Sequence, residues 1–311
     1  MAPTTARTPE TVGRFAPSPT GPLHLGGLVA AVGSFLFARA SRGRWLLRME
    51  DLDRPRVVPG AADDIARSLE RHGLHWDGEV VWQSQRQELY TAALERLRAQ
   101  GLTYPCACSR RELLQAASAP ALDDANEEDG SARIYPGTCR DGLPSGRRAR
   151  AIRFRVEPCE LTFEDEVRGV VTENTSEAVG DFVVQRADGV AAYQLGVVVD
   201  DAAQGVTQVV RGADLLSSTA RQIHLQRALS LAKPCYAHLP LVLAPDGSKL
   251  GKRDGALPLN VLSEASVRAT LGQALEILGQ PFSAGSPAEM LASAVEGFDP
   301  GAIPAGPVKP R

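Results

Sequence analysis

The chain reads as an α/β protein: a doubly wound parallel sheet, split by an insertion and followed by a short helical C-terminal segment. Three observations predict it. Residues 11–53 run strand, glycine-rich turn, helix, strand; the parallel pattern resumes from Leu195; and the stretch between carries alternating strands, a hairpin and clustered cysteines instead. The boundaries that follow are 11–103 and 191–247 for the two halves of the sheet, 104–190 for the insertion, and 248–311 for a basic loop with a helical end. Sites in such sheets gather at the carboxyl ends of the strands, where the strand order reverses.

In chain order, Leu28, Val32, Phe35 and Leu36 recur at helical spacing after Gly27. Trp45-Leu46-Leu47-Arg48-Met49 reads as a short buried strand ending in the acidic run Glu50-Asp51-Leu52-Asp53. Helices over about 61–72 and 85–100 put Ile65, Leu69, Leu89 and Leu97 on their apolar faces. Ser109-Arg110-Arg111-Glu112 has capping-box spacing, so a helix is expected immediately after Cys108. Residues 117–132 are acidic and poor in large apolar groups, which predicts a solvated loop. Ala151 to Val156 alternates as a half-buried strand does, and Asp188-Gly189 between Phe182-Val183-Val184 and Val190 to Tyr193 reads as a hairpin. From Leu195 come a short helix, a buried strand Thr207 to Arg211, a helix around 218–232, the strand-like run Leu239 to Leu243, and the turn Pro245-Asp246-Gly247. Beyond residue 260 one more helix is expected, then a Gly/Pro-rich end too short for another domain.

At 43% hydrophobic content the chain can bury a substantial core, and a formal charge of −3 does not announce a nucleic-acid binder. Any RNA contact needs a local basic surface, for which the cluster Arg140, Arg147, Arg148, Arg150, Arg153 and Arg155 is a candidate; a solvated face is the alternative. The longest apolar pattern, Leu28 to Ala38, is interrupted by Gly33 and Ser34 and is too short to span a bilayer. The N-terminal MAPTTARTPE lacks a signal peptide's apolar core and reads as a disordered tail. Five cysteines, three of them clustered, favour a reduced cytoplasm and a metal site over a disulfide framework. No internal repeat is present, and a monomer is expected.

The opening GRFAPSPTGPLHLGG has the makings of an anion site. Pro17, Pro19 and Pro22 stiffen the turn. Gly26 and Gly27 lack a Cβ, so a flat ligand could lie against the backbone. The helix behind them aims free N–H groups and a positive dipole at that space, and His24 could donate to a phosphoryl oxygen. Alone, the pattern fits equally an ordinary turn with a buried histidine. Lys249-Leu250-Gly251-Lys252-Arg253 is a compact basic loop after the second half-sheet; alone, it reads as a solvated charge run. Together the two would converge on one sheet edge from opposite sides of the switch point. A Walker-type phosphate loop is excluded, because no G-x-x-x-x-G-K-[ST] occurs. Cys106, Cys108 and Cys139 offer three thiolates to a tetrahedral zinc and want a fourth ligand; inert buried thiols are the alternative. Cys159 and Cys235 read as small apolar residues. His72 and His75 need no function, and His224 and His238 read as core.

PSPTGPLHLGG, RMEDLDRPR, VVRGADLL and KLGKR in combination closely resemble the glutamate branch of class I aminoacyl-tRNA synthetases, over about Gly13 to Arg253. His24 to Gly27 matches that family's HIGH signature and Lys249 to Arg253 its KMSKS loop, with Gly251 where serine is usual. The resemblance implies a Rossmann-like catalytic fold, ATP with Mg²⁺, and L-glutamate as the amino acid. It implies electrostatic catalysis by His24, Lys249 and Lys252, with ATP held by His24, Gly26, Gly27, Lys249 and Lys252. The implied glutamate pocket is Arg14, Phe15, Ala16, Pro17, Ser18, Glu50, Tyr193 and Arg211, with Glu50 on the ammonium. Arginines there give the planar two-point grip on carboxylates that lysine cannot. Without the resemblance, Glu50 reads as a surface carboxylate and Tyr193 as a core aromatic. The family also supplies the fourth zinc ligand, Tyr135, making a structural site with Cys106, Cys108 and Cys139. Glutamate-type members carry a long helical anticodon-binding region after the KMSKS loop; fewer than sixty residues follow here. Such a truncated chain resembles the branch that activates glutamate without tRNA and passes it to the queuosine base at the wobble position of tRNA(Asp). The alternatives are a synthetase that charges the terminal adenosine of tRNA, and a non-catalytic zinc-containing RNA-binding paralogue.

Overall fold

The computed structural model describes residues 10–109, 111–113, 134–244, 259 and 263–310. The acidic stretch 117–132 and the basic loop Lys249 to Arg253 lie outside the described residues. β1 (Val12–Phe15), α1 (Leu25–Ala40) and β2 (Arg44–Met49) form the expected opening unit, with β1 and β2 parallel and Gly13 opposite Trp45. α1 is buried over most of its circumference, so its apolar residues are not confined to one stripe. A Cβ on Gly33 would stand 2.4 Å from a Leu239 methyl carbon, which measures how closely this helix presses on the strand that carries Leu239.

α2 (Ala61–Arg71), β3 (Val81–Trp82) and α3 (Gln87–Ala99) follow, β3 extending the sheet parallel to β2. The second half contributes α4 (Tyr193–Ala203), β9 (Gln208–Gly212), α5 (Thr219–Ala228) and β10 (Cys235–Leu239). β9 and β10 pair in parallel, Arg211 opposite His238. β9 runs beside β1: the Thr207 N–H donates to the Val12 carbonyl at 3.0 Å, and the Val12 N–H to the Thr207 hydroxyl at 2.8 Å. The strands therefore run outward in both directions from the β1/β9 junction, which is the switch point of a doubly wound sheet.

Between the halves, β4 (Thr103–Cys106), β5 (Ala151–Phe154) and β8 (Phe182–Gln185) form an antiparallel sheet of their own. The hairpin of β6 (Glu160–Asp165) and β7 (Gly169–Asn174) does something else: β6 lies parallel to β10, Asp165 opposite Tyr236, so it joins the main sheet.

Several expectations need correction. The strand expected over Leu239 to Leu243 is β10, which ends at Leu239; Pro240 has no N–H for the ladder, and beyond it Val242 makes an isolated bridge to Val308. The Asp188-Gly189 turn forms, with the Gly189 N–H donating to Arg186, but its return arm is a single bridge at Ala191, and Tyr193 opens a helix. The helix expected around 218–232 stops at Ala228 and follows a 3-10 turn over Ala213–Ser218. Beyond residue 260 there are two helices where one was expected: α6 (Glu264–Ile277) and α7 (Pro287–Glu296), the second opened by a Ser286–Glu289 capping box. Both pack on α1, and the Gly/Pro-rich end returns to the sheet.

Candidate active site

Arg14 sits on β1, next to the switch point, and is buried. Its Nε donates to Asp201 Oδ1 at 3.1 Å and its Nη1 to the Val210 carbonyl at 3.4 Å. Asp201, on α4, also accepts from Arg48 Nη1 at 2.8 Å, and Arg48 Nη2 donates to Glu50 Oε1 at 3.1 Å. The result is an alternating chain of charges in the interior, Arg14–Asp201–Arg48–Glu50, with Arg48 Nε left 4.0 Å from Asp200 Oδ2 and without a hydrogen bond. Burial alone would raise the Asp201 carboxyl, but Arg14 and Arg48 outweigh it and hold the group below the ordinary range. Glu50 goes the other way: burial lifts it above the ordinary range, and Arg48 and Arg14 offset this only in part. The next acid along, Asp200, is clamped by Arg86 Nε at 2.6 Å, Gln83 Nε2 at 2.8 Å and the Tyr90 hydroxyl at 2.8 Å.

Arg211, at the end of β9, differs in kind. It is 5% exposed, yet its partners are neutral: His238 Nε2 at 3.1 Å from Nε, Gln222 Oε1 at 2.8 Å from Nη1, and Thr219 Oγ1 at 2.9 Å from Nη2. Among the described residues no carboxylate forms an ion pair with it. A buried cation without a counter-ion is costly, and an anionic ligand relieves that cost. Tyr193 lies within electrostatic reach of Arg211, Glu50, Arg14 and Asp201 together; burial, the largest cause, raises its phenol, and Arg211 opposes the shift. Residues from β1, β2, α4 and β9 thus meet at the carboxyl ends of the strands.

The proline-rich turn is stapled over this place. The Glu50 N–H donates to the Pro17 carbonyl at 2.9 Å, and the Val58 N–H to Pro19 at 3.0 Å. Phe15 turns its ring into the core, stacked on Trp45 at 6.4 Å, so that only its backbone can serve a ligand; Ala16 and Pro17 are half-buried and Ser18 is exposed. His24 caps α1: its Nδ1 accepts from the Gly27 N–H at 3.2 Å. In the neutral ring the proton therefore sits on Nε2, the nitrogen able to donate to an anion at the helix N-terminus. The space beside Gly27 is not open, because a Cβ there would stand 2.7 Å from Leu23. Lys249 and Lys252 lie outside the described residues.

Sequence reasoning missed Asp201, Arg48 and His238 as neighbours of the site. Two adjacent acids in the apolar run Val197-Val198-Val199-Asp200-Asp201 were the signal for the first. His238, read as a core residue, is fully buried but holds Arg211.

In the insertion, Cys106, Cys108 and Cys139 bring three sulfurs within 4.8 Å of one another, a set that could hold a metal ion. The Tyr135 hydroxyl stands 3.5 Å from Cys106 Sγ and 3.6 Å from Cys108 Sγ, and Cys108 Sγ is 3.7 Å from Cys139 Sγ. Bond lengths of about 2.3 Å to sulfur and about 2.0 Å to oxygen give tetrahedron edges of roughly 3.7 and 3.5 Å, so the spacing fits. Arg153 departs from the alternation expected of β5: it turns inward over the Tyr135 ring at 3.8 Å and donates to Cys106 Sγ at 3.2 Å. Of the clustered arginines, Arg140 is bound to Asp181, Arg147 to Glu112 and Arg155 to the Arg140 carbonyl. Arg148 and Arg150 are exposed. The expected capping box forms, Ser109 and Glu112 bonding reciprocally.

The chain is similar to known proteins in sequence and in fold. Residues 10–282 match the family described as tRNA synthetases class I (E and Q), catalytic domain, and the chain belongs to that class. A glutamyl-Q tRNA(Asp) synthetase of Geobacter sulfurreducens is 54% identical over 303 residues, covering 95% of this chain and 94% of that protein. One from Thiobacillus denitrificans is 53% identical over 301 residues, covering 96% of each. Within the class, the chain is thus a member of the glutamyl-Q tRNA(Asp) synthetase family. Among solved structures, a glutamate-tRNA synthetase from Elizabethkingia anophelis superposes with a TM-score of 0.79 at 27% identity, covering 97% of this chain and 68% of that one.

Proposed function

We propose that this chain activates L-glutamate with ATP, without tRNA, and passes the glutamyl group to the queuosine base at the wobble position of tRNA(Asp). Arg211 carries the reading: among the described residues this buried cation has neutral hydrogen-bond partners, and it acts on Tyr193 together with a carboxylate, Glu50, that can take an ammonium. Glutamate supplies the anionic group that Arg211 lacks, with a second carboxylate and an ammonium for the other charged groups of the pocket. In the first step a glutamate α-carboxylate oxygen bonds to the α-phosphorus of ATP. The bond to the β-phosphate oxygen breaks, and its electron pair leaves with pyrophosphate. Arg14 and Arg211 hold the two carboxylates, Glu50 the ammonium, and Tyr193 and residues 15–18 line the pocket. His24 donates from Nε2 to the phosphoryl oxygens as charge grows there, with Lys249 and Lys252 beside it and the backbone of Gly26 and Gly27 along the nucleotide. Mg²⁺ bound with ATP screens the phosphate charge.

Cys106, Cys108, Tyr135 and Cys139 would hold a structural zinc, all four positions being filled by protein. The zinc-bearing insertion would span 104–190, between catalytic halves 11–103 and 191–247, with the KMSKS-like loop and helical end in 248–311. Among the described residues no helix is long and apolar enough to cross a membrane. The proposed reaction is that of a cytoplasmic enzyme, which we propose acts as a monomer.

The test is glutamate-dependent exchange of pyrophosphate into ATP with no tRNA added, followed by labelled glutamate transfer to queuosine-bearing tRNA(Asp) against tRNA(Glu). Exchange and transfer to the former alone are expected. His24→Ala should lower the exchange rate about 10²–10³-fold. No exchange would favour a binding module, and charging of tRNA(Glu) a conventional synthetase.

A further inference from the structure

We infer that His238 is a positioning residue for Arg211: fixed by Asp165, it aims the arginine's fork at the carboxylate of the bound amino acid. The inference rests on Arg211 being a glutamate ligand, as proposed above.

A guanidinium has only donors, so the ring nitrogen 3.1 Å from Arg211 Nε must present a lone pair. That puts the proton of the neutral ring on Nδ1, which faces Asp165 Oδ2 at 2.6 Å. The carboxylate is itself held. Its Oδ1 accepts the N–H groups of Val167 at 3.1 Å, Arg168 at 2.9 Å and His238 at 3.2 Å. Burial, the main cause, with the Arg211 charge adding and Asp165 opposing, holds the imidazole down to about 4, so the ring is neutral at working pH. Thr219 and Gln222 take one N–H each from the two terminal nitrogens. Three of five N–H groups are then committed to groups that do not neutralise the charge, and two remain for a carboxylate. A flexible side chain becomes a preset clamp with its charge intact.

Asp165 closes β6, and His238 lies on β10, so the hairpin inside the insertion reaches the amino-acid pocket through two hydrogen bonds.

The test is steady-state exchange kinetics on full-length His238→Leu, His238→Gln and Arg211→Lys. Leu removes the acceptor; Gln can present an oxygen near the position of Nε2. For His238→Leu we expect the KM for glutamate to rise about tenfold or more, with the KM for ATP within about twofold of wild type. His238→Gln should recover most of that loss, although both variants lose thermal stability. A purely structural role predicts the reverse: lost stability or kcat with no selective change in glutamate KM, and no rescue by Gln. Should neither variant fold, ¹⁵N spectra of the wild-type imidazole decide; a protonated Nε2 overturns the inference. Arg211→Lys separates the two readings. An unchanged glutamate KM there sinks the pocket assignment itself, whereas a raised one beside an unchanged KM in His238→Leu sinks only the positioning role.

Discussion

The site is distinguished by how each charge is settled. Arg14 is neutralised by Asp201, which it shares with Arg48, whereas the hydrogen-bond partners of Arg211 among the described residues are all neutral. Glu50 is the counterpart on the acid side. Burial keeps its carboxyl above the ordinary range despite Arg48 and Arg14. A folded-state value above the unfolded one means that the fold favours the protonated form. That contribution is complete below the unfolded value and is lost as pH rises through the folded one. At neutral pH the ionised Glu50 therefore costs stability. Glu50→Gln should hold or raise the melting temperature at pH 7 while increasing the KM for glutamate by about 10–100-fold. The gain over wild type should shrink as the pH is lowered. A large drop in melting temperature at pH 7 would count against this account.

At the scale of elements, the insertion shows what was legible and what was not. The opening βαβ unit and the capping box after Cys108 follow from local patterns, and both formed. Arg153 was illegible, because alternation assumes that one face of a strand is wet. The segment bearing Tyr135 and Cys139 covers that face, and only tertiary structure supplies it. The same holds for β6, whose pattern says strand but not which sheet it joins. α7 was readable after all, through Ser286-Pro287-Ala288-Glu289, an N-cap with proline at N1. Of the site itself, the arginines, Glu50 and His24 were reachable through motif resemblance. Their buried partners were not, since pairings such as Arg14 with Asp201 span most of the chain. Protein purified without chelator should carry about one zinc per chain by elemental analysis. Stripping it, or Cys108→Ser, should lower the melting temperature, because a closed site contributes folding free energy. Metal-free protein of unchanged stability would contradict it.

For the molecule as a whole, the two half-sheets join at β1 and β9, and α1 packs against these strands and against α6 and α7. The end of the chain takes part. The Val308 N–H donates to the Leu241 carbonyl at 2.8 Å, and the Leu243 N–H to the Val308 carbonyl at 2.9 Å. Val308→Pro removes the first bond. It should raise the KM for ATP severalfold in the exchange assay, leaving that for glutamate near wild type. Equal effects on both substrates would show that the brace acts on the whole fold.

This brace has a practical side. Leu241 to Leu243 precedes the lysine-bearing loop in the chain, and its footing is the isolated bridge between Val242 and Val308. A bulky label attached at or beside residue 308 would crowd that footing, so probes for kinetic work belong well away from this bridge.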